Sequence, residues 1–245
     1  MKILIAGYGF VGQAHYELLK DTHEIIISDP AFPEHSQGIP QDVDAVIVCV
    51  ATPQRADGAC EMKNVYEVIE ASPDVPILIK STISVEGWEM LVEVFPNRML
   101  NFSPEFLRAA SAIEDLKNMN LMLIGGTSCK FWSKVFNVNV EIAEAQELIL
   151  AKYARNSFLA LKVAFFNQMY DLCNELGIEY SAVAHYTGMD SRIGDSHTLV
   201  TDQRGFGGHC FPKDTAALIK TAQRDNVELS ILKEAVRYNN LIRKS

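Results

Sequence analysis

The chain has 245 residues, 48% of them apolar, enough for a sizeable core in one large domain or two modest ones. A formal charge of −9 argues against nucleic acid and against an anionic membrane surface, but leaves room for an anionic small ligand at a local positive site. Five cysteines without a C-x-x-C pair read as reduced thiols of a cytoplasmic protein, and the histidines lack zinc-site spacing, so no metal is expected.

The first part alternates strand and helix. Strand-like Lys2-Ile3-Leu4-Ile5-Ala6 opens the chain, so no signal peptide is expected. No apolar run approaches the roughly 20 residues of a membrane helix. Further strands are expected at 24–28, 44–50, 76–80, 98–101, 120–125 and 138–142, short runs rich in Ile, Val and Leu. Helices are expected near 10–20, 61–71, 84–94 and 128–136. The pattern predicts a doubly wound, Rossmann-type parallel sheet over residues 1–143.

The first strand runs into Gly7-Tyr8-Gly9-Phe10-Val11-Gly12, a G-x-G-x-x-G turn opening a helix. Gly7 permits the tight turn, Gly9 lets the backbone reach a pyrophosphate, and Gly12 lets helix pack closely on strand. The second strand ends in Ser28-Asp29, where an acid can accept hydrogen bonds from ribose hydroxyls and repel a 2′-phosphate. These features predict NAD rather than NADP. Asp29 is alternatively a plain turn residue before Pro30. The Pro-rich stretch 30–41 reads as a loop. The third strand ends in Ala51-Thr52-Pro53, where Thr52 is a candidate cofactor contact.

From Glu144 to Leu176 there is neither Gly nor Pro, and most faces are apolar. A helix this long and this apolar needs cover on several sides, in an all-α domain or against a second copy. Residues 144–245 are therefore expected to form a helical domain that dimerises through 144–176, with shorter helices near 180–188, 213–225 and 229–243. Lys152 and Asn156 stand at i and i+4 on the long helix, so both can donate to a developing oxyanion. Without context the surface reading, a solvated lysine and a surface asparagine, is the favoured one.

The loop 189–211 ends in Gly205-Phe206-Gly207-Gly208-His209-Cys210-Phe211-Pro212-Lys213-Asp214. It delivers a cysteine to a helix start, with Pro212 at the first helical position and Lys213 adding positive charge. A thiol there should ionise readily and act as a nucleophile, and Gly207 lets a substrate approach the backbone. Taken alone, a Gly-Gly-x-Cys string favours a structural turn with a passenger cysteine.

The ten-residue string resembles the nucleophile loop of the UDP-glucose/GDP-mannose dehydrogenase family. Other segments resemble the same family in the same order: Lys80-Ser81-Thr82-Ile83, Ser103-Pro104-Glu105-Phe106-Leu107-Arg108, Lys152-Tyr153-Ala154-Arg155-Asn156 and Gly188-Met189-Asp190-Ser191-Arg192-Ile193-Gly194. The resemblance implies an NAD-dependent four-electron oxidation of a nucleotide sugar, UDP-glucose being the first candidate, to the uronic acid. Cys210 would form a thiohemiacetal and then a thioester. Thr82 and Asp214 would hold the hydrolytic water, with Glu105 as acid/base and Lys152 and Asn156 at the oxyanion. Phe106, Leu107, Arg108 and Gly207 would contact the substrate, and Arg192 would reach a site in the neighbouring subunit.

The match departs from the family in three places. Ala109 and Ala110 stand where a second carboxylate is usual, a segment after Asp29 is short, and a third, C-terminal domain is expected to be absent. Substrate affinity is then expected to be low unless a partner protein supplies that domain's surface. Two other readings remain: a two-electron β-hydroxyacid-type dehydrogenase, which needs no cysteine, and a non-enzymatic NAD-binding protein.

Overall fold

The run Lys2–Ala6 is apolar on both faces from Ile3 onward, and it becomes the inner strand β1, fully buried over Ile3 to Ala6. The computed structural model describes every residue except 107–110, 209 and 245. The candidate substrate residues Leu107 and Arg108 therefore lie outside the described residues. By internal packing the chain forms two units, Met1–Arg55 with Cys60–Lys152, and Ala56–Ala59 with Tyr153–Ser245.

In the first unit β1 is followed by α1 (Phe10–Leu19), β2 (Glu24–Ser28), β3 (Ala45–Val48), α2 (Lys63–Ala71), β4 (Ile77–Ile79) and α3 (Val85–Val94). Then come β5 (Leu100–Phe102), α4 (Ala112–Lys117), β6 (Leu121–Gly126), α5 (Cys129–Phe136) and β7 (Asn139–Ile142). The strands form one sheet in the order β2-β1-β3-β4-β5-β6-β7. Chain order reverses at β1, which pairs with β2 on one side and β3 on the other. That switch point opens a crevice beyond the carboxyl ends of the strands, where ligands bind in such sheets.

The sheet is not wholly parallel, as the apolar runs suggested. β5 and β6 pair antiparallel, through Asn101 with Gly126 and Phe102 with Gly125. Gly126 lets the strands meet there, since a Cβ on it would strike the Leu100 carbonyl. Helix α4 was not expected either, being six residues long and without a strong apolar period. On one face of the sheet Ile3, Ile5, Ile47 and Leu78 pack against Leu19 of α1 and Trp132 and Phe136 of α5.

His15 sits inside that layer, fully buried, with Nδ1 2.8 Å from the Val11 carbonyl. Burial above all, and then the Lys80 charge, push its imidazole down to about 4. Unfolded, the ring takes its proton near pH 6.5, so between 6.5 and about 4 the unfolded chain holds more protons and stability rises with pH. This contribution is whole above about pH 6.5 and lost towards pH 4, about 3 kcal/mol in total. Urea unfolding of the parent and His15→Leu at pH 7.5, 5.5 and 4.5 should show the parent losing more stability in acid. Equal losses would show that His15 does not set this slope.

The second unit is built on α6 (Ala145–Leu176), a 32-residue helix whose first turns belong to the first unit. It continues through α7 (Tyr180–Gly188), α8 (Phe211–Arg224) and α9 (Ser230–Ile242). Ala160 and Ala164 keep one face of α6 narrow, and Phe206 of the cysteine loop packs there with Phe211, Val236 and Tyr238. The loop before Cys210 is thereby seated on a helix rather than left loose.

Candidate active site

The glycine turn follows from local sterics. Gly7 has φ +94°, and a Cβ there would strike the Cys49 carbonyl; one on Gly12 would strike the Gly7 carbonyl. Both positions therefore need glycine for reasons internal to the protein. Gly9 differs, because a Cβ there would meet nothing within 4 Å. Its bare backbone faces open space at the start of α1, which fits a pyrophosphate cradle on the helix N-terminus. Phe10 and Val11 are the first two residues of that helix.

Asp29 closes the turn from β2. Its Oδ2 accepts the Tyr8 N–H at 2.6 Å and its Oδ1 the Ala31 N–H at 2.8 Å. Each oxygen keeps a lone pair for a ribose hydroxyl. Calorimetric titration should show NAD binding about tenfold or more tighter than NADP, because a 2′-phosphate would sit against this carboxylate. NADP binding as tightly as NAD would remove Asp29 from the ribose site. Thr52, after β3, is 5% exposed.

At the C-terminal end of the unit the first turns of α6 bring Lys152 to Thr82. The Lys152 Nζ, on a side chain only 5% exposed overall, donates to Thr82 Oγ1 at 2.9 Å. Two candidate residues 70 positions apart are thus hydrogen-bonded. Glu105 follows β5, with Phe106 next, and its carboxylate lies 3.4 Å from the ammonium of Lys80.

The second unit holds the others. Cys210 is exposed and occupies the N-cap of α8. Phe211 is the first helical residue, so Pro212 stands second rather than first, where it still needs no N–H partner. Asp214 is 1% exposed, and its Oδ2 accepts from Asn156 Nδ2 at 2.6 Å. Its Oδ1 lies 3.5 Å from Lys213 Nζ and has no hydrogen-bond partner among the described residues. A buried acceptor left open in this way suits a bound water. Gly207 packs against the Arg243 guanidinium. Arg192 is exposed and folds back on Asp190, Nε to Oδ1 at 3.0 Å and the terminal nitrogen to Oδ2 at 2.5 Å.

Sequence reading missed the clasp that holds the cysteine loop. Asn167 Oδ1 accepts from Arg204 Nε at 2.9 Å and from the Gly205 N–H at 3.0 Å. Asp171 pairs with Arg204 at 2.6 Å and accepts from the Tyr238 hydroxyl at 2.8 Å. Asn239 Oδ1 accepts the Phe206 N–H, and Arg243 donates to the Arg204 carbonyl at 2.7 Å. These partners lie 33 to 67 positions apart, so no local spacing announces them.

A Rossmann-type sheet with a dinucleotide turn, joined to a helical unit that presents a cysteine at a helix start, defines a dinucleotide-dependent dehydrogenase architecture. Residues 31–138 match the NAD binding domain of the UDP-glucose/GDP-mannose dehydrogenase family, and residues 146–241 match its central domain. The chain belongs to that family. UDP-glucose 6-dehydrogenase of Rickettsia conorii is 33% identical over 215 residues, 81% of this chain and 49% of that protein. UDP-glucose 6-dehydrogenase TuaD of Bacillus subtilis is 32% identical over 80% of this chain and 46% of its own length. The chain spans about half the length of these relatives. Among solved structures, a UDP-glucose dehydrogenase from Pyrobaculum islandicum superposes with a TM-score of 0.85 at 25% identity, covering 98% of this chain and 68% of that one. A 3-hydroxyisobutyrate dehydrogenase from Mycobacterium tuberculosis shares the fold, with a TM-score of 0.76 at 15% identity. Among the described residues no helix is long and apolar enough to cross a membrane, and no side-chain cluster could hold a metal ion.

Proposed function

We propose that this chain oxidises a nucleotide sugar, UDP-glucose first among candidates, at its primary alcohol to the carboxylate. The observation that carries the reading is the buried Asp214 carboxylate, hydrogen-bonded to Asn156 on one oxygen and, among the described residues, without a hydrogen bond on the other, four residues after an exposed cysteine. A two-electron alcohol dehydrogenase needs neither the thiol nor a water-holding carboxylate beside it.

NAD, held by the Gly7–Gly12 turn and Asp29, supplies hydride acceptance when bound, and alcohol to carboxylate requires two equivalents. The chain's own residues do the rest. The Cys210 sulfur bonds to the aldehyde carbon, and the resulting oxyanion is met by Lys152 and Asn156. After the second oxidation the same carbon is a thioester. A water held by Asp214 and Thr82 loses a proton to Glu105 as its oxygen bonds that carbon, and the Cys210 thiolate leaves. Phe106 and the backbone at Gly207 line the substrate in this reading. Leu107 and Arg108 keep the substrate role that the family resemblance gives them.

The reading makes the helical unit the dimerisation domain. Phe158, Phe165 and Leu172 recur every seventh residue on α6, and each is at least half exposed. In this reading that stripe meets the same helix of a second copy, and Arg192 serves a site there. The test of function is to count NADH formed per UDP-glucose consumed. Two are expected. One NADH per turnover, or activity on small hydroxyacids alone, would favour the β-hydroxyacid reaction, and NAD binding without turnover would favour a non-enzymatic protein.

A further inference from the structure

Strands β4 and β5 end side by side, and each places a charged residue just beyond the sheet. Lys80 follows Ile79, and Glu105 lies three residues past Phe102. The Lys80 Nζ is 3.4 Å from Glu105 Oε2, with side chains 3% and 8% exposed. The same ammonium reaches Ser103 Oγ at 3.1 Å and the Pro104 carbonyl at 3.4 Å. Its three protons thus face three acceptors, all on the short segment that carries Glu105. Lys80 is itself fixed, since its backbone N–H donates to the Val48 carbonyl at 2.9 Å and continues the sheet.

A lysine–glutamate pair taken out of water is a poor source of stability, because desolvation offsets most of the attraction. Its effect on the carboxylate is a better account of it. A buried carboxylate with no counter-charge takes up a proton and loses its use as a base. Among the described residues, His15 and Cys49 share this field. His15, from α1, is held neutral down to about 4, and burial pushes the Cys49 thiol, after β3, upward. Neither carries charge at neutral pH.

We propose that Lys80 is a positioning residue for Glu105: it grips the segment beyond β5 and keeps the carboxylate charged, ready to take the proton of the hydrolytic water. The proposal rests on the acid/base role given to Glu105 above. It does not require Lys80 to touch substrate.

The test reads Glu105 directly. Carbon-13 NMR of chains labelled at the glutamate carboxyls, with the resonance assigned by Glu105→Gln, follows its titration in the parent, Lys80→Met and Lys80→Arg. In Lys80→Met the midpoint should rise by about one to three pH units, while Lys80→Arg should stay near the parent. The acid limb of the rate profile with NAD and UDP-glucose should move to higher pH in Lys80→Met alone. The double variant Lys80→Met/Glu105→Gln carries neither charge and should recover any thermal stability that Lys80→Met loses. An unmoved midpoint in a folded Lys80→Met would overturn the proposal, as would equal changes in the Met and Arg variants. A raised midpoint in a chain whose parent makes no uronic acid would uphold the link between Lys80 and Glu105, and would overturn the reaction instead.

Discussion

Cys210→Ser will bind NAD as the parent does and form no uronic acid, a loss of roughly a thousandfold or more in acid production. The hydroxyl lacks a thiolate's nucleophilicity. A thioester cannot form, so the second oxidation has no route to a hydrolysable intermediate. Position supports the choice of this thiol. Cys210 is the exposed one at a helix start, while Cys60, Cys129 and Cys173 are buried and burial pushes the Cys49 and Cys129 thiols upward. One equivalent of iodoacetamide should therefore label Cys210 first and abolish acid formation in step with labelling, as read by peptide mass spectrometry and product assay. Uronic acid made at the parent's rate by Cys210→Ser would end the covalent mechanism.

How much of this was legible beforehand depended on whether the cause was local. The G-x-G-x-x-G turn could be read because collisions between near neighbours, Gly12 with Gly7, demand glycine there. The strands of the sheet could be read because fully buried strands are continuous apolar runs. The direction of β6 could not, since an apolar run carries no sign of which way it pairs. Six-residue α4 had too little length for a period to show.

At the candidate site the divide is the same. Thr82 and Lys152 were each visible within short motifs, and so were Asn156 and Asp214. The hydrogen bonds joining them belong to tertiary packing. Lys80 was read only as the residue before Ser81-Thr82, because a lysine in a sequence looks solvated until the fold buries it to 3%. Arg204 carries no local sign of its role, because its clasp with Asn167 and Asp171 depends on α6 passing beneath the loop.

Phe158→Asp/Phe165→Asp is expected to convert a dimer into a monomer at micromolar concentration, with the helical content unchanged. In the parent, light scattering should give twice the chain mass. Phe158 is 67% exposed and Phe165 52%, although the sequence around them is otherwise that of a buried helix. Covering a phenylalanine side chain is worth about 1.5–3 kcal/mol, and a two-fold interface counts each position twice. The double substitution removes that gain and sets four carboxylates along one seam, so a dissociation constant of any ordinary dimer would rise by several orders of magnitude. Because Arg192 is assigned to a site on the second copy, the monomer should also need far more UDP-glucose to reach half its maximal rate. An Arg192→Ala variant that remains dimeric should show the same rise in KM without the change in mass. A monomeric parent with full activity would remove both the seam and the shared role of Arg192. A variant that stays dimeric would place the interface on another face of the helical unit.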